Sequence, residues 1–166
     1  MGSDRIEAYR ITDFLVPMSI LGNKKIASEI YEDGAEIDQI PDLINQVWVG
    51  VKFNEEDAAC YQVHQMSRLV WQLHARVLPE YRLKYANKIS QTALVWCAKN
   101  IPDLERIVCL VPKCHRNVIL HARRVGLTCE GLIRNSYLKN GSVYDTTIYS
   151  ISKDKILEME KCQQQQ

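Results

Sequence analysis

Between Gln46 and Val77 the chain passes through three strand-like segments with no room for a helix between them, and this constrains the fold more than any other feature. Gln46–Phe53 is rich in Val, Trp and Phe, Asn54–Asp57 is a polar turn, and Ala58–Met66 is the second segment. Ser67–Arg68 turns the chain again, and Leu69–Val77 alternates as the third. Parallel neighbours need a crossover of a dozen residues or more, so connections this short predict an antiparallel meander. Alternation puts Trp71, Leu73, Ala75 and Val77 on one face of the third strand, and Gln72, His74 and Arg76 on the other.

The period changes after Pro79-Glu80. Leu83–Lys99 reads as a helix, with Ile89, Ala93 and Trp96 or Cys97 on one stripe, and Ile101-Pro102-Asp103 stops it. Ile107–Val111 is a continuous apolar run suited to a buried strand, and a helical crossover into it predicts pairing parallel to Leu69–Val77. Asn117–Val125 is a second amphipathic helix, closed by Gly126. Thr128–Leu138 and Ser142–Ile151 form a hairpin around Lys139-Asn140-Gly141, where Asn-Gly favours a tight turn.

Upstream of the meander, Asp4–Ile11 is a first strand, and Thr12 or Asp13 can cap a helix. Pro17 suits a first turn and Gly22-Asn23 a break, so Asp13–Tyr31 reads as two short helices. Glu32-Asp33-Gly34 and Ile40-Pro41-Asp42 read as loops. Lys153–Gln166 continues as a helix or frays. The order β-α-α-β-β-β-α-β-α-β-β predicts an α/β fold with a mixed sheet of about six or seven strands and about four helices. No repeat or linker splits the chain, so one domain is expected over residues 1–152, with 153–166 as a tail.

Charge and cysteine usage narrow the function. A net charge of +1 advertises neither nucleic acid nor a membrane surface. No apolar stretch approaches the roughly 20 residues that span a bilayer. Cys60, Cys97, Cys109, Cys114, Cys129 and Cys162 show no CxxC spacing, and most lie in apolar runs. They read as reduced thiols in a cytoplasmic protein, with Cys97 and Cys109 buried. His64, His74, His115 and His121 form no metal-ligand spacing with a carboxylate, so no metal site is expected. Core packing accounts for Trp48, Trp71 and Trp96.

The element order, with Val111, the stretch from Val118 to Gly126-Leu127, Glu130-Gly131, Gly141, Asp145 and Tyr149, resembles the GNAT superfamily of acyl-CoA N-acyltransferases. The competing reading is any α/β domain with an amphipathic helix and a hairpin. The resemblance implies a sheet whose two parallel strands splay apart at one end to receive acetyl-CoA. It also implies that Val77, Arg82, Leu83, Lys84, Tyr85, Ala86 and Asn87 form the cofactor turn, whose backbone amides cradle a pyrophosphate at the start of the next helix. In the family this turn carries glycines, which let the backbone approach the phosphates. Here those positions hold Tyr85 and Asn87. His115 stands where the family has Asn, and Ala122 where many active members have the Tyr that protonates the leaving thiolate.

For catalysis, His74 is the candidate base, on the strand that flanks the acyl group, against the alternative of a polar residue on a wet face. Tyr144 or Tyr137 is the candidate acid in place of the missing Tyr, against the alternative of strand packing. Two functions stay open. One is an acetyl-CoA-dependent N-acetyltransferase acting on an amine, weakened or silenced by the four departures. The other is a non-catalytic assembly protein. The stretch Glu130–Tyr149 is similar to small phage proteins of the GNAT type, which implies virion partners and a host-cytoplasmic or virion-associated location.

Overall fold

The computed structural model describes residues 4–35 and 41–164; Ile40 and the last two glutamines, parts of the loop and tail assigned from sequence, lie outside the described residues. The chain runs β1 (Ile6–Arg10), α1 (Leu15–Leu21), α2 (Lys24–Ile30), β2 (Val47–Phe53), β3 (Glu56–Gln65), β4 (Val70–Val77), a 3-10 turn (Pro79–Tyr81), α3 (Ala86–Asn100), β5 (Arg106–Pro112), α4 (Arg116–Val125), β6 (Thr128–Lys139), β7 (Ser142–Ser152) and α5 (Lys153–Gln164). The strands form one mixed sheet in the order β1-β2-β3-β4-β5-β7-β6. The meander is antiparallel and β4 pairs with β5 in parallel, as expected.

Local chemistry explains the element ends. Asn54 and Glu55 both have positive φ, 48° and 73°, so the first hairpin closes in two residues and β3 begins at Glu56 rather than Ala58. Asn140 and Gly141 do the same at the last hairpin, with φ of 51° and 72°. Gly126 ends α4 at φ 109°, returning its N–H to the Ala122 and Arg123 carbonyls. Asn23 caps α2 by accepting from the Lys25 and Ile26 amides. The start of α1 differs from expectation: Phe14 is the cap residue, and Asp13 instead accepts from the Leu15 amide. The helix expected from Leu83 begins only at Ala86. Pro79 opens a 3-10 turn, and Arg82–Tyr85 continue as turn while Tyr81 and Tyr85 pack on Phe53.

Two apolar layers sandwich the sheet. On one face Val49, Val51, Tyr61, Val63, Trp71, Leu73 and Ile107 meet Ile89, Ala93, Leu94 and Cys97 of α3, Val125 of α4 and Ile156 of α5. Ile156 is fully buried, so α5 docks its apolar side onto the domain. On the other face a smaller cluster joins Trp48 and Cys60 to Ile11, Ile20 and Ile26, the last two from α1 and α2. Among the described residues no helix is long and apolar enough to cross a membrane.

Candidate functional site

The sheet opens in its middle. β4 and β5 pair only at Val70–Arg106, Trp71–Ile107 and Gln72–Val108. Beyond those positions Leu73–Val77 keeps β3 on one side and loses β5 on the other, while Cys109–Pro112 keeps only β7. Exposure records the opening: Ala75 is exposed in a central strand although Leu73 and Val77 on its own face are buried, and Leu110 is exposed on β5. An unpaired strand edge presents N–H and C=O groups that an extended ligand can satisfy.

The start of α3 lies beside this opening. Its first bond to the preceding turn is Ile89 N–H to the Tyr85 carbonyl, so the amides of Ala86, Asn87 and Lys88 precede the helical ladder. Such amides, at the positive end of a helix, suit an anion. Two other amides of the expected turn are spent, Arg82 N–H on the Pro79 carbonyl and Tyr85 N–H on the Tyr81 carbonyl. The Tyr85 ring packs 4.2 Å from Phe53, centroid to centroid, rather than standing over the α3 amides. Leu83 is fully exposed, and Lys84 lies with its ammonium over the Tyr85 ring. Arg82 is committed: its Nε donates to the Val77 carbonyl at 2.8 Å, and its guanidinium pairs with Glu29 of α2. The backbone of this region therefore fits a pyrophosphate, whereas the Arg82 side chain points its charge at Glu29.

The remaining cofactor position, His115, lies at the start of α4. Its Nε2 is 3.3 Å from the Tyr137 hydroxyl, which donates its one proton to the Ile30 carbonyl and so accepts from His115. Burial and then Lys139 lower the His115 pKa. The hairpin thus reaches back to α2: Lys139 Nζ donates to the Ser28 and Tyr31 carbonyls, and Glu32 accepts from the Leu138 amide.

His74 sits on the α2 face of β4, its ring stacked on His64 at 5.4 Å and its Nε2 3.2 Å from Gln72 Nε2. With the Gln72 amide donating, that nitrogen is an acceptor and the proton is on Nδ1. Burial first, then Arg76 and His64, lower the His74 pKa to about 4, so the ring is neutral near pH 7. Tyr144 is half-buried opposite Tyr137 on the terminal hairpin. The parallel register, carried two residues on, sets His74 level with Leu110, whose partner is Ile148; Tyr144 lies four residues, about 13 Å of strand, further along. The fold does not bring these two candidates together.

A group absent from the sequence reading links α3 to α4. His121 Nδ1 is 2.9 Å from Asn87 Oδ1, its Nε2 is 2.9 Å from Ser90 Oγ, and Ser90 Oγ is 2.8 Å from the Tyr61 hydroxyl. Nothing in the spacing of these residues announces the set, because its members come from β3, α3 and α4. Among the described residues no group of three or more His, Cys, Asp or Glu is placed to hold a metal ion. A depression of about 810 Å³ beside β1, lined in part by Tyr9, Asp57, Trp96 and Lys99, lies three strands from the opening and holds none of the sequence-predicted site residues.

The same architecture occurs in solved structures. The spermidine N-acetyltransferase from Vibrio cholerae in complex with CoA and spermine superimposes with a TM-score of 0.74 at 16% identity, over 92% of this chain and 98% of that one. The spermidine/spermine N-acetyltransferase from the same organism in complex with manganese ions gives a TM-score of 0.71 at 14% identity, over 93% and 96%. At these identities the likeness shows the fold, which is that of the GNAT acetyltransferases. Among curated proteins none matches the chain. A family model described as "Protein of unknown function (DUF2824)" matches residues 11–162.

Proposed function

The chain belongs to that DUF2824 family, and on this premise and its GNAT fold we propose that it binds acetyl-CoA in the opening between β4 and β5 and transfers the acetyl group, slowly, to an amine. The observation that carries this reading is the halt of β4–β5 pairing at Gln72–Val108. The cofactor supplies an acetyl carbon activated as a thioester; the amine nitrogen bonds to that carbon, the carbon–sulfur bond breaks, and the proton lost from nitrogen balances the departing thiolate.

The chain's own contributions are mostly backbone. The Leu73–Val77 edge of β4 has free groups to hold an extended arm and to donate an N–H to the thioester oxygen. The Ala86, Asn87 and Lys88 amides, which precede the helical ladder, would hold the pyrophosphate. His74, neutral near pH 7, would take the proton of the amine at Nε2 in place of the Gln72 hydrogen bond there, although its low pKa makes it a weak base. Ala122 offers no acid to the leaving sulfur, and Tyr144 stands too far along β7 to serve His74's locus, which accounts for slow transfer. A positioned acid is worth roughly 10²–10⁴ in rate.

A second reading is favoured by Arg82 and Asn87, whose side chains are spent on Glu29 and His121. In it the fold serves virion or other assembly without catalysis, and the opening is a relic. Calorimetric titration with coenzyme A separates the two. Heat that saturates below millimolar, followed by acetyl transfer to any of a panel of amines, supports the enzyme. No heat at millimolar coenzyme A leaves the assembly role.

A further inference from the structure

On the α2 side of the opening one buried cation stands without an acid partner among the described residues. Arg76 projects from β4 on the face that carries His74 and Gln72, one cross-strand step from Cys60. Its Nε is sealed from solvent with no hydrogen-bond partner, and so is His64 Nδ1 on the neighbouring strand. Among the described residues no carboxylate pairs with Arg76. Burial is the largest influence on Arg76 and opposes its charge; the smaller contributions that favour the charge come from Cys60 and Tyr31, not from a carboxylate. The nearby C-terminal carbonyls of α2 do not compensate it, because Lys139 takes those of Ser28 and Tyr31 and Tyr137 takes that of Ile30. Glu29, an acid on that helix, is already bonded to Arg82.

A guanidinium held this way is costly. Proteins pair buried charges, and a charge left without a partner destabilises the fold unless something arrives to neutralise it. Guanidinium geometry matches one class of ligand best, a planar carboxylate bound by two parallel N–H groups. The adjoining His74 ring, stacked on His64, is polar and neutral near pH 7, so it tolerates such a ligand without competing for Arg76. A polyamine, by contrast, would set ammonium groups beside Arg76 and Lys139.

We propose that Arg76 forms a carboxylate subsite on the acceptor side of the opening, so that the amine acetylated is one that carries a carboxylate, such as a free α-amino acid, rather than a polycation. The acceptor part of this inference rests on the acetyl-transfer reading; the carboxylate subsite does not.

The test uses the full chain, and its first arm needs no cofactor. Thermal unfolding is followed with N-acetylglycine, the acetylated form of the simplest such amine, and with its uncharged amide. The wild type is expected to melt higher with the carboxylate than with the amide, and apparent affinity to favour the carboxylate by roughly ten- to a hundredfold, the scale of a charge-assisted hydrogen-bond pair. Arg76→Met is expected to lose that response while melting above the unliganded wild type, because it removes an unpaired charge. Equal response to acid and amide, a response that survives Arg76→Met, or a fall in melting temperature on that substitution would each overturn the subsite. In a second arm, acetyl transfer to glycine is compared with transfer to glycinamide and spermidine. Preference for spermidine would overturn the acceptor class and leave acetyl transfer standing. If coenzyme A fails to bind while the carboxylate response persists, the acetyl-transfer reading falls and the subsite stands.

Discussion

Nδ1 of His121, midway along α4, lies 2.9 Å from Oδ1 of Asn87 in the first turn of α3. An amide oxygen only accepts, so His121 donates from Nδ1. Its Nε2 must then accept from Ser90, and Ser90 in turn accepts from Tyr61. Every proton in this chain runs one way when His121 is neutral. Protonation would make Nε2 a donor and leave one hydroxyl proton of the buried Ser90–Tyr61 pair without its acceptor. Burial and then Arg124 lower the His121 pKa in keeping with that cost.

His121→Ala should therefore destabilise the fold by about 1–3 kcal/mol, the cost of leaving buried partners unsatisfied. Urea unfolding at pH 7 measures it. Ser90→Ala should cost a similar amount, and the double variant less than the sum, because the two side chains belong to one network. Full additivity would show that the bonds act independently.

Acid should unfold the protein through His74. Its folded pKa of about 4 lies below its ordinary value of 6.5, so the unfolded state binds the proton more readily. Stability is complete above the unfolded pKa and falls as the pH drops toward the folded one, by up to about 3 kcal/mol. His121 and His115, whose pKa values are also lowered, add to the same trend. His74→Gln should flatten the stability profile over that interval without shifting the plateau at pH 8 by a comparable amount. A profile that keeps its full slope would remove His74 as its source.

Arg82 holds the end of β4 to α2. Arg82→Ala gives up the bond to the Val77 carbonyl and the pair with Glu29, and should cost about 1–2 kcal/mol in stability. Glu29→Gln should act oppositely on the cofactor. With its guanidinium no longer neutralised, Arg82 is free to turn to the pyrophosphate, and coenzyme A should bind up to roughly tenfold more tightly. Unchanged affinity, measured by calorimetry, would mean that Arg82 does not reach the phosphates.

The cysteines should separate by reactivity. Cys60, Cys97 and Cys109 have thiol pKa values pushed up to about 12 by burial, so almost none is thiolate near pH 8. Cys129 and Cys162 are exposed, and all six are unbridged. A chromogenic disulfide reagent should titrate two thiols quickly in native protein, with Cys114 slower, and six in denaturant. Fast reaction of Cys97 would contradict its burial on the sheet-facing side of α3.

Much of the scaffold is legible in the linear pattern. The turns after Phe53 and Lys139, the αL glycine after α4 and the apolar stripe of α3 are local signals set by residues a few positions apart, although the first turn is two residues tighter than the Asn54–Asp57 read from sequence. The alternation along β4 correctly separates Trp71, Leu73 and Val77 from Gln72, His74 and Arg76, because side chains of a strand must alternate between faces. It places Ala75 with the buried group, yet Ala75 is exposed. That departure belongs to the splay, which depends on where β4 and β5 part and not on either sequence alone. Helix α3 starts three residues later than its pattern predicts, since the helical preference of Leu83–Tyr85 is overridden by the packing of Tyr81 and Tyr85 on Phe53, which lies far upstream in the chain. Nothing in the sequence reveals that Arg82 is committed, because its partner, Glu29, is 53 residues away. Local propensity and period thus determined the elements and their order. Which charges are neutralised, which amides remain open and which cation is left alone were decided by contacts between distant segments, because charge and hydrogen-bond satisfaction depend on what stands within a few ångströms in space.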